Sequence, residues 1–188
     1  TIAAVTIRDS NTLELKALTT TGGLTVTAGG AVTQSGTLVI PGTTTISASG
    51  HAVTLGDSSN NFGTTAITGA NVAITDTNAI ILGASTVSGT YSVTAGGAVT
   101  NSGTQEITGV TTISASGHNV TLDTATNNFA NEVRITGAAV TVVDEDAINL
   151  GASTVSGTYS VTAGGAVTQS GALAITGATT ISASGHNV

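Results

Sequence analysis

The residues best suited to chemistry are three histidines and one run of acids. His51, His118 and His186 each follow a Ser-Gly pair, and Asp144-Glu145-Asp146 is the only acidic cluster. An imidazole set implies a transition metal or acid–base work, and a carboxylate cluster implies calcium bound through oxygen. The spacing decides against a shared histidine site. The histidines recur at intervals of 67 (118 − 51) and 68 (186 − 118) within otherwise near-identical blocks, so they are equivalent positions of a repeat rather than partners. Asp144, Glu145 and Asp146 remain a weak calcium candidate, because the matching positions Asp76-Thr77-Asn78 carry less charge and no calcium-binding nonapeptide occurs. A solvated turn is the simpler expectation for them.

Carbohydrate-cleaving β-helices need two or three carboxylates converging on one face, often beside a base. Here Asp9, Asp76 and Asp144 recur at the repeat spacing, and Lys and Arg together number only three. The sequence predicts no enzyme, no catalytic residue and no cofactor. Arg134 is expected to pair with Glu132 across the surface. Asn60-Asn61 and Asn127-Asn128 are expected to cap bends, and Asn119-Val120-Thr121 matches the glycosylation acceptor pattern.

The elements that would position these residues follow from the repetition. Ser92-Val93-Thr94-Ala95-Gly96-Gly97-Ala98-Val99-Thr100 has counterparts at 25–33 and 160–168. Residues 1–23 read as a diverged partial copy, 24–90 and 91–158 as two full units, and 159–188 as a partial third. Each full unit divides into three sub-blocks, in which a Val or Ile between small or hydroxyl residues leads through a bend to another Val or Ile. Short runs alternating with period two, broken at glycines, predict strands, and no helical stripe is present.

Composition narrows the architecture. Charged residues are 7% and aromatics 2%, with no Cys, Met or Trp. Such a chain cannot fill a broad core, but it suits a thin one extended along an axis. Dividing the period by three gives roughly 22 residues per turn of an all-β parallel β-helix. The expectation is about eight turns of roughly 19–26 residues, three turns per 67/68-residue unit. Val26, Ile46, Ile67, Val93, Ile113, Ile135, Val161 and Ile181 would form one inward column. Val32, Val53, Ile74, Val99, Val120, Val142, Val167 and Val188 would form a second, with Phe62 and Phe129 filling the wider turns.

The flanking pairs Thr25/Thr27, Thr45/Ser47, Ala66/Thr68, Ser92/Thr94, Thr112/Ser114, Arg134/Thr136, Ser160/Thr162 and Thr180/Ser182 would then make an outward double ladder of hydroxyls. Ice-binding solenoids carry arrays of this kind, so a glycan- or ice-binding face is the alternative function. The net charge of −7 argues against nucleic acid and anionic membranes as partners, and no apolar run approaches the ~20 residues of a membrane span.

The blocks V-T-A-G-G-A-V-T-Q-S-G, T-I-S-A-S-G-H and I-T-G-A-N-V resemble the repeat regions of filamentous-haemagglutinin-like exoproteins. That resemblance implies a right-handed β-helical stalk outside a bacterial cell, serving adhesion, biofilm or fibre formation, with host or matrix glycans as partners. It brings no catalytic residues. Because the sequence starts and stops in mid-turn, the expected self-partner is a continuation of the chain or another copy stacked end to end.

Overall fold

The computed structural model describes residues 2–188. Among them there is no helix, and every strand pair is parallel. One path of paired strands runs through Val5–Asp9, Leu24–Ala28, Leu38–Ser47, Asn61–Gly69, Ile80–Leu82, Val99–Asn101, Val120–Leu122, Val140–Asp144, Tyr159–Ala163 and Thr179–Ser182. A second runs through Leu13–Leu15, Val32–Gln34, Val53–Leu55, Val72–Asp76, Tyr91–Ala95, Thr111–Ser114, Glu132–Gly137, Ile148–Leu150 and Val167–Gln169. The chain passes from one to the other and back, so each circuit lays one turn on the last. The fold is the expected β-solenoid.

Alternation of side chains explains the strands. In Leu24–Ala28 and Tyr91–Ala95 every second residue is buried, while Thr25, Thr27 and Thr94 face out. Val and Ile suit the inward positions because their branched side chains pack well on a pleated surface, and Thr suits the outward ones for the same reason with water on one side. The core is a single continuous cluster from Leu15 to Ala183. Phe62 and Phe129 are 0% and 1% exposed and fill the wide turns as expected. Pro41, which has no donor to give, lies at a register shift between Ile40 and Thr43.

Turn count and phase differ from expectation. Ten strands along the first path make nine steps, and at ~4.8 Å each the rod is about 43 Å long. The four steps from Val5 to Leu82 advance the numbering by 77, and the five from Ile80 to Thr179 by 99. The mean is 176/9, about 19.6 residues per turn. One repeat unit is therefore longer than three turns.

Counting strands gives the excess. In the most regular turns three strands complete the circuit: Val99–Asn101, Gln105–Ile107 and Thr111–Ser114 stack with Val120–Leu122, Asn128–Phe129 and Glu132–Gly137 respectively. The unit 91–158 holds ten strands, Tyr91–Ala95 to Ser153–Val155. Ten strands at three per circuit make three turns and a third.

The extra third redistributes the expected columns. Val26, Ile46 and Ile67 stack together on the first path. Val93, Ile113 and Ile135 stack on the second, above Ile74. Val161 and Ile181 continue above Val142, in the stack that runs down through Ile80–Leu82 onto the first half of Asn61–Gly69, at Thr64 and Thr65. Val32 and Val53 pair on the second path, whereas Val99 and Val120 pair in that later stack. Each expected column is real in pieces, but the pieces change face at every unit. Every face asks for the same thing, an inward β-branched residue between outward hydroxyls, so one block fits any of them. Val188, expected inward, is 75% exposed because no turn covers it.

Candidate functional site

Three kinds of polar position recur, and the structure separates them by burial. The histidines lie at exposed bends. Gly50 and Gly117, at φ 76 and 78, turn the backbone, and His51 and His118 donate their N–H to the carbonyls of Ala48 and Ala115. His51 follows a strand of the first path and His118 a strand of the second, so the two sit at different corners of the rod. They are not aligned three turns apart, as the sequence had suggested.

The acidic run does not act as a unit. Asp144 is 2% exposed, whereas Glu145 and Asp146 are exposed. Asp144 Oδ2 accepts from the Phe129 N–H at 2.8 Å and Oδ1 from the Asp146 N–H at 2.9 Å. A solvated turn was expected at Asp144; an inward carboxylate is found. No group of three or more His, Cys, Asp or Glu residues suited to a metal forms among the described residues, so Asp144, Glu145 and Asp146 are not gathered as calcium ligands. Asp76 ends a strand of the second path, whereas Asp9 and Asp144 end strands of the first, stacked on Ala28 and Ala163 respectively, so these carboxylates do not line up either.

Asp76 repeats the inward arrangement. It is 2% exposed, its Oδ1 accepts from the Phe62 N–H at 2.9 Å, and its Oδ2 is buried without a partner. Burial pushes both carboxyls above their ordinary value of 3.8, with the Phe62 and Phe129 N–H groups pulling back only in part. The folded chain thus holds these protons more tightly than the unfolded chain. Their contribution to stability is fully present below 3.8 and is lost as pH rises through the raised folded values. Exposed Glu14 and partly covered Glu132, lowered by hydrogen bonds to Lys16 and Arg134, titrate in the opposite sense. Thermal melts from pH 3 to 7 should show a shallower loss of stability with rising pH for Asp76→Asn than for the parent. An unchanged slope would mean that Asp76 does not titrate abnormally.

The asparagines were expected to cap bends, and Asn60 and Asn127 do more. Both are 0% exposed. Asn60 Oδ1 accepts from the Leu38 N–H at 2.9 Å and from Gln34 Nε2 at 2.8 Å. Its Nδ2 donates to Gln34 Oε1, Leu55 O and Thr75 O. One side chain therefore ties its own turn to the turns before and after. Asn127 does the same with the Gln105 N–H, Asn101, Leu122 O and Val143 O.

These staples sit beside the widest turn, where Thr111 pairs with Val133. The turn that follows is narrow, because Val133 pairs with Leu150. There Ser153 Oγ accepts from the Ile135 N–H at 3.0 Å and donates to Gly151 O. Ser85 serves Ile67 and Gly83 alike. The buried roles of Asn60, Asp76 and Ser85 went unread in the sequence, where small polar residues are everywhere. Their recurrence as Asn127, Asp144 and Ser153, next to the two Phe residues, was the available signal.

The surface offers little convergent chemistry. One open groove of about 480 Å³ is lined by Thr33, Gln34, Ser35, Thr54 and Asp57. Both Asp57 oxygens are engaged, by the Ser59 N–H and the Thr37 hydroxyl. Arg134 pairs with Glu132 as expected, and Ser170 donates to the same carboxylate at 3.1 Å. Arg134 lies at the surface, so water screens the pair. Asn119 is exposed, its Oδ1 accepting from the Ala139 N–H at 3.2 Å.

The hydroxyl ladder is present but divided. Thr100, Thr121, Thr141, Ser160 and Thr180 stack on one face. Thr75, Thr94, Ser114, Thr136 and Thr154 stack on another. The expected double rank along one face is broken by the change of face at each unit. Tyr91, Tyr159, Phe62 and Phe129, all the aromatics of the chain, are at most 1% exposed.

No curated protein and no solved structure matches the chain. A family model described as repeats of unknown function matches residues 3–68, 69–136 and 137–188. These units keep the period found in the sequence but start at a different phase. Together they cover nearly the whole solenoid, and the chain belongs to that family, DUF5649.

Proposed function

We propose that this chain is a structural stalk or fibre-forming segment of a secreted or cell-surface bacterial adhesin-like protein. The observation that carries the reading is the unbroken stack: parallel strands and one core run the length of the rod. Every turn is stitched to its neighbours by backbone hydrogen bonds, and buried Asn60 and Asn127 add cross-turn ties. The resemblance to filamentous-haemagglutinin-like repeats supplies the extracellular setting.

A glycan- or ice-binding role is the weaker reading. All the Tyr and Phe rings that could stack on a sugar are inside, and the hydroxyl array is split between faces. The stalk reading is tested by immunogold labelling of intact producing cells with antibodies to this chain, viewed by electron microscopy. Gold on projecting fibres or on the outer surface is expected; gold confined to the cytoplasm of sectioned cells would overturn the reading.

A further inference from the structure

Successive units show the same surface on different faces of the rod. Thr25-Val26-Thr27 stacks with Thr45-Ile46-Ser47, Ser92-Val93-Thr94 with Ala73-Ile74-Thr75, and Ser160-Val161-Thr162 with Thr141-Val142-Val143. In all three the Val is 0% exposed and the following Thr is exposed. The three stacks reach separate strands in the circuit above Asn61–Gly69, the strand that carries the third stack at Thr64 and the first at Thr68 before they part. Thr27 leads through Ser47, Thr68 and Thr86 to Glu106, Ser92 leads to Thr112, and Ser160 leads back through Thr141 and Thr121 to Thr100. Residues 100, 106 and 112 lie on the three strands of a single circuit.

We propose that the repeat is an azimuth-setting device: each 67/68-residue unit turns whatever follows it by a third of a turn about the axis, and three units restore the direction.

The buried polar residues fix that third. It survives only if the long and short circuits keep their lengths. The long circuit from Thr111 to Val133 is clamped by Asn127 and Asp144, and the short one from Val133 to Leu150 by Ser153. At the short circuit one strand, Glu132–Gly137, carries two, Ile148–Leu150 and Ser153–Val155. That is where the extra strand of the unit is taken in. Asn60, Asp76 and Ser85 occupy the matching places one unit earlier, where Asn61–Gly69 carries Ile80–Leu82 and Ser85–Val87.

The inference rests on the stalk reading for its use. In a stalk, the number of units between two copies of a surface decides which way each faces. Partners recognising the repeated block are then arrayed around the rod instead of lined up on one side, so the stalk can bridge them.

The chain has no Cys, so paired spin labels report geometry cleanly. Labels on Thr27→Cys and Thr86→Cys, stacked on one face, should lie about 14 Å apart, three layers along it, and serve as the reference. Labels on Thr27→Cys and Thr94→Cys should exceed about 18 Å, more than three layers along and around a corner of a rod ~10 Å across. A Thr27/Thr94 distance of about 14 Å, equal to the reference, would overturn the proposal. The angle is read separately, by gold clusters on Thr27→Cys, Thr94→Cys and Thr162→Cys in one chain, viewed down the axis by electron microscopy. Three gold positions at the corners of a triangle are expected; two positions on opposite sides, or one, would overturn the third of a turn. Both measurements use the purified chain, so their failure is distinct from failure to find the protein at the cell surface.

Discussion

Asn127→Ala should cost about 3–5 kcal/mol and lower the melting temperature by about 10 °C, since unsatisfied buried polar groups cost ~1–3 kcal/mol each and a domain of this size loses ~2–4 °C per kcal/mol. The substitution strands the Gln105 N–H, which is bonded to Asn127 Oδ1 at 3.0 Å, and removes the donor to Leu122 O and Val143 O. It also opens a cavity between turns of unequal length. Asn127→Asp is the sharper variant. It keeps the acceptor for Gln105 but turns a second oxygen toward two carbonyls, so it should be no better than Ala. Asn128→Ala, one residue on and only partly covered, should stay within about 1 kcal/mol of the parent. Calorimetry on the four proteins checks the set. Equal effects at 127 and 128 would mean that the staple is not what holds the wide turn.

Gly164→Val is the second large effect, expected at about 3 kcal/mol or more, the upper range for forcing extra carbons into a packed site. The Gly-Gly bends bring one turn down onto the backbone of the turn below. A Cβ on Gly164 would run into the Glu145 carbonyl oxygen, and one on Gly165 would lie 2.8 Å from the Ala147 nitrogen. The backbone cannot swing away without breaking the Gly164 N–H bond to Asp144 O at 3.0 Å. Gly56 provides the contrast, with nothing within 4 Å of its added Cβ and no positive φ. Gly56→Ala should be neutral or stabilise by ~0.4–1 kcal/mol through the unfolded chain. Denaturant midpoints for the two variants should move in opposite directions or differ by several-fold. If Gly164→Val behaves like Gly56→Ala, the close stacking at the bend is wrong.

Stacking and stapling were not equally legible in the sequence. Period-two runs of Val, Ile and Thr broken by glycine were enough to require stacked strands, and Val26, Ile46, Phe62 and Phe129 were assigned inside correctly. Sequence could not see how many turns make a unit. The period is compatible with three turns of roughly 22 residues or with three and a third of about 20, because identical blocks satisfy every face equally. The pairing of Val93 with Ile74 and Ile113 decides for the second. For the same reason the histidines, the Asp76 and Asp144 carboxylates and the hydroxyl pairs were placed on one line when they step from face to face.

Burial of polar residues was the other thing hidden. Asn60, Asp76 and Ser85 have neighbours in sequence no different from those of many exposed Thr, Ser and Asn. Which way they face is fixed by turns stacked above and below, through bonds to residues up to 26 positions away. What the sequence determined by itself was local: strand, bend, inward or outward along a strand, and a uniform repeat poor in charge. Only the tertiary structure decided the phase of one turn on the next, because phase is a sum of turn lengths that buried long-range hydrogen bonds set. On that phase depends whether the repeated surfaces face one way or three.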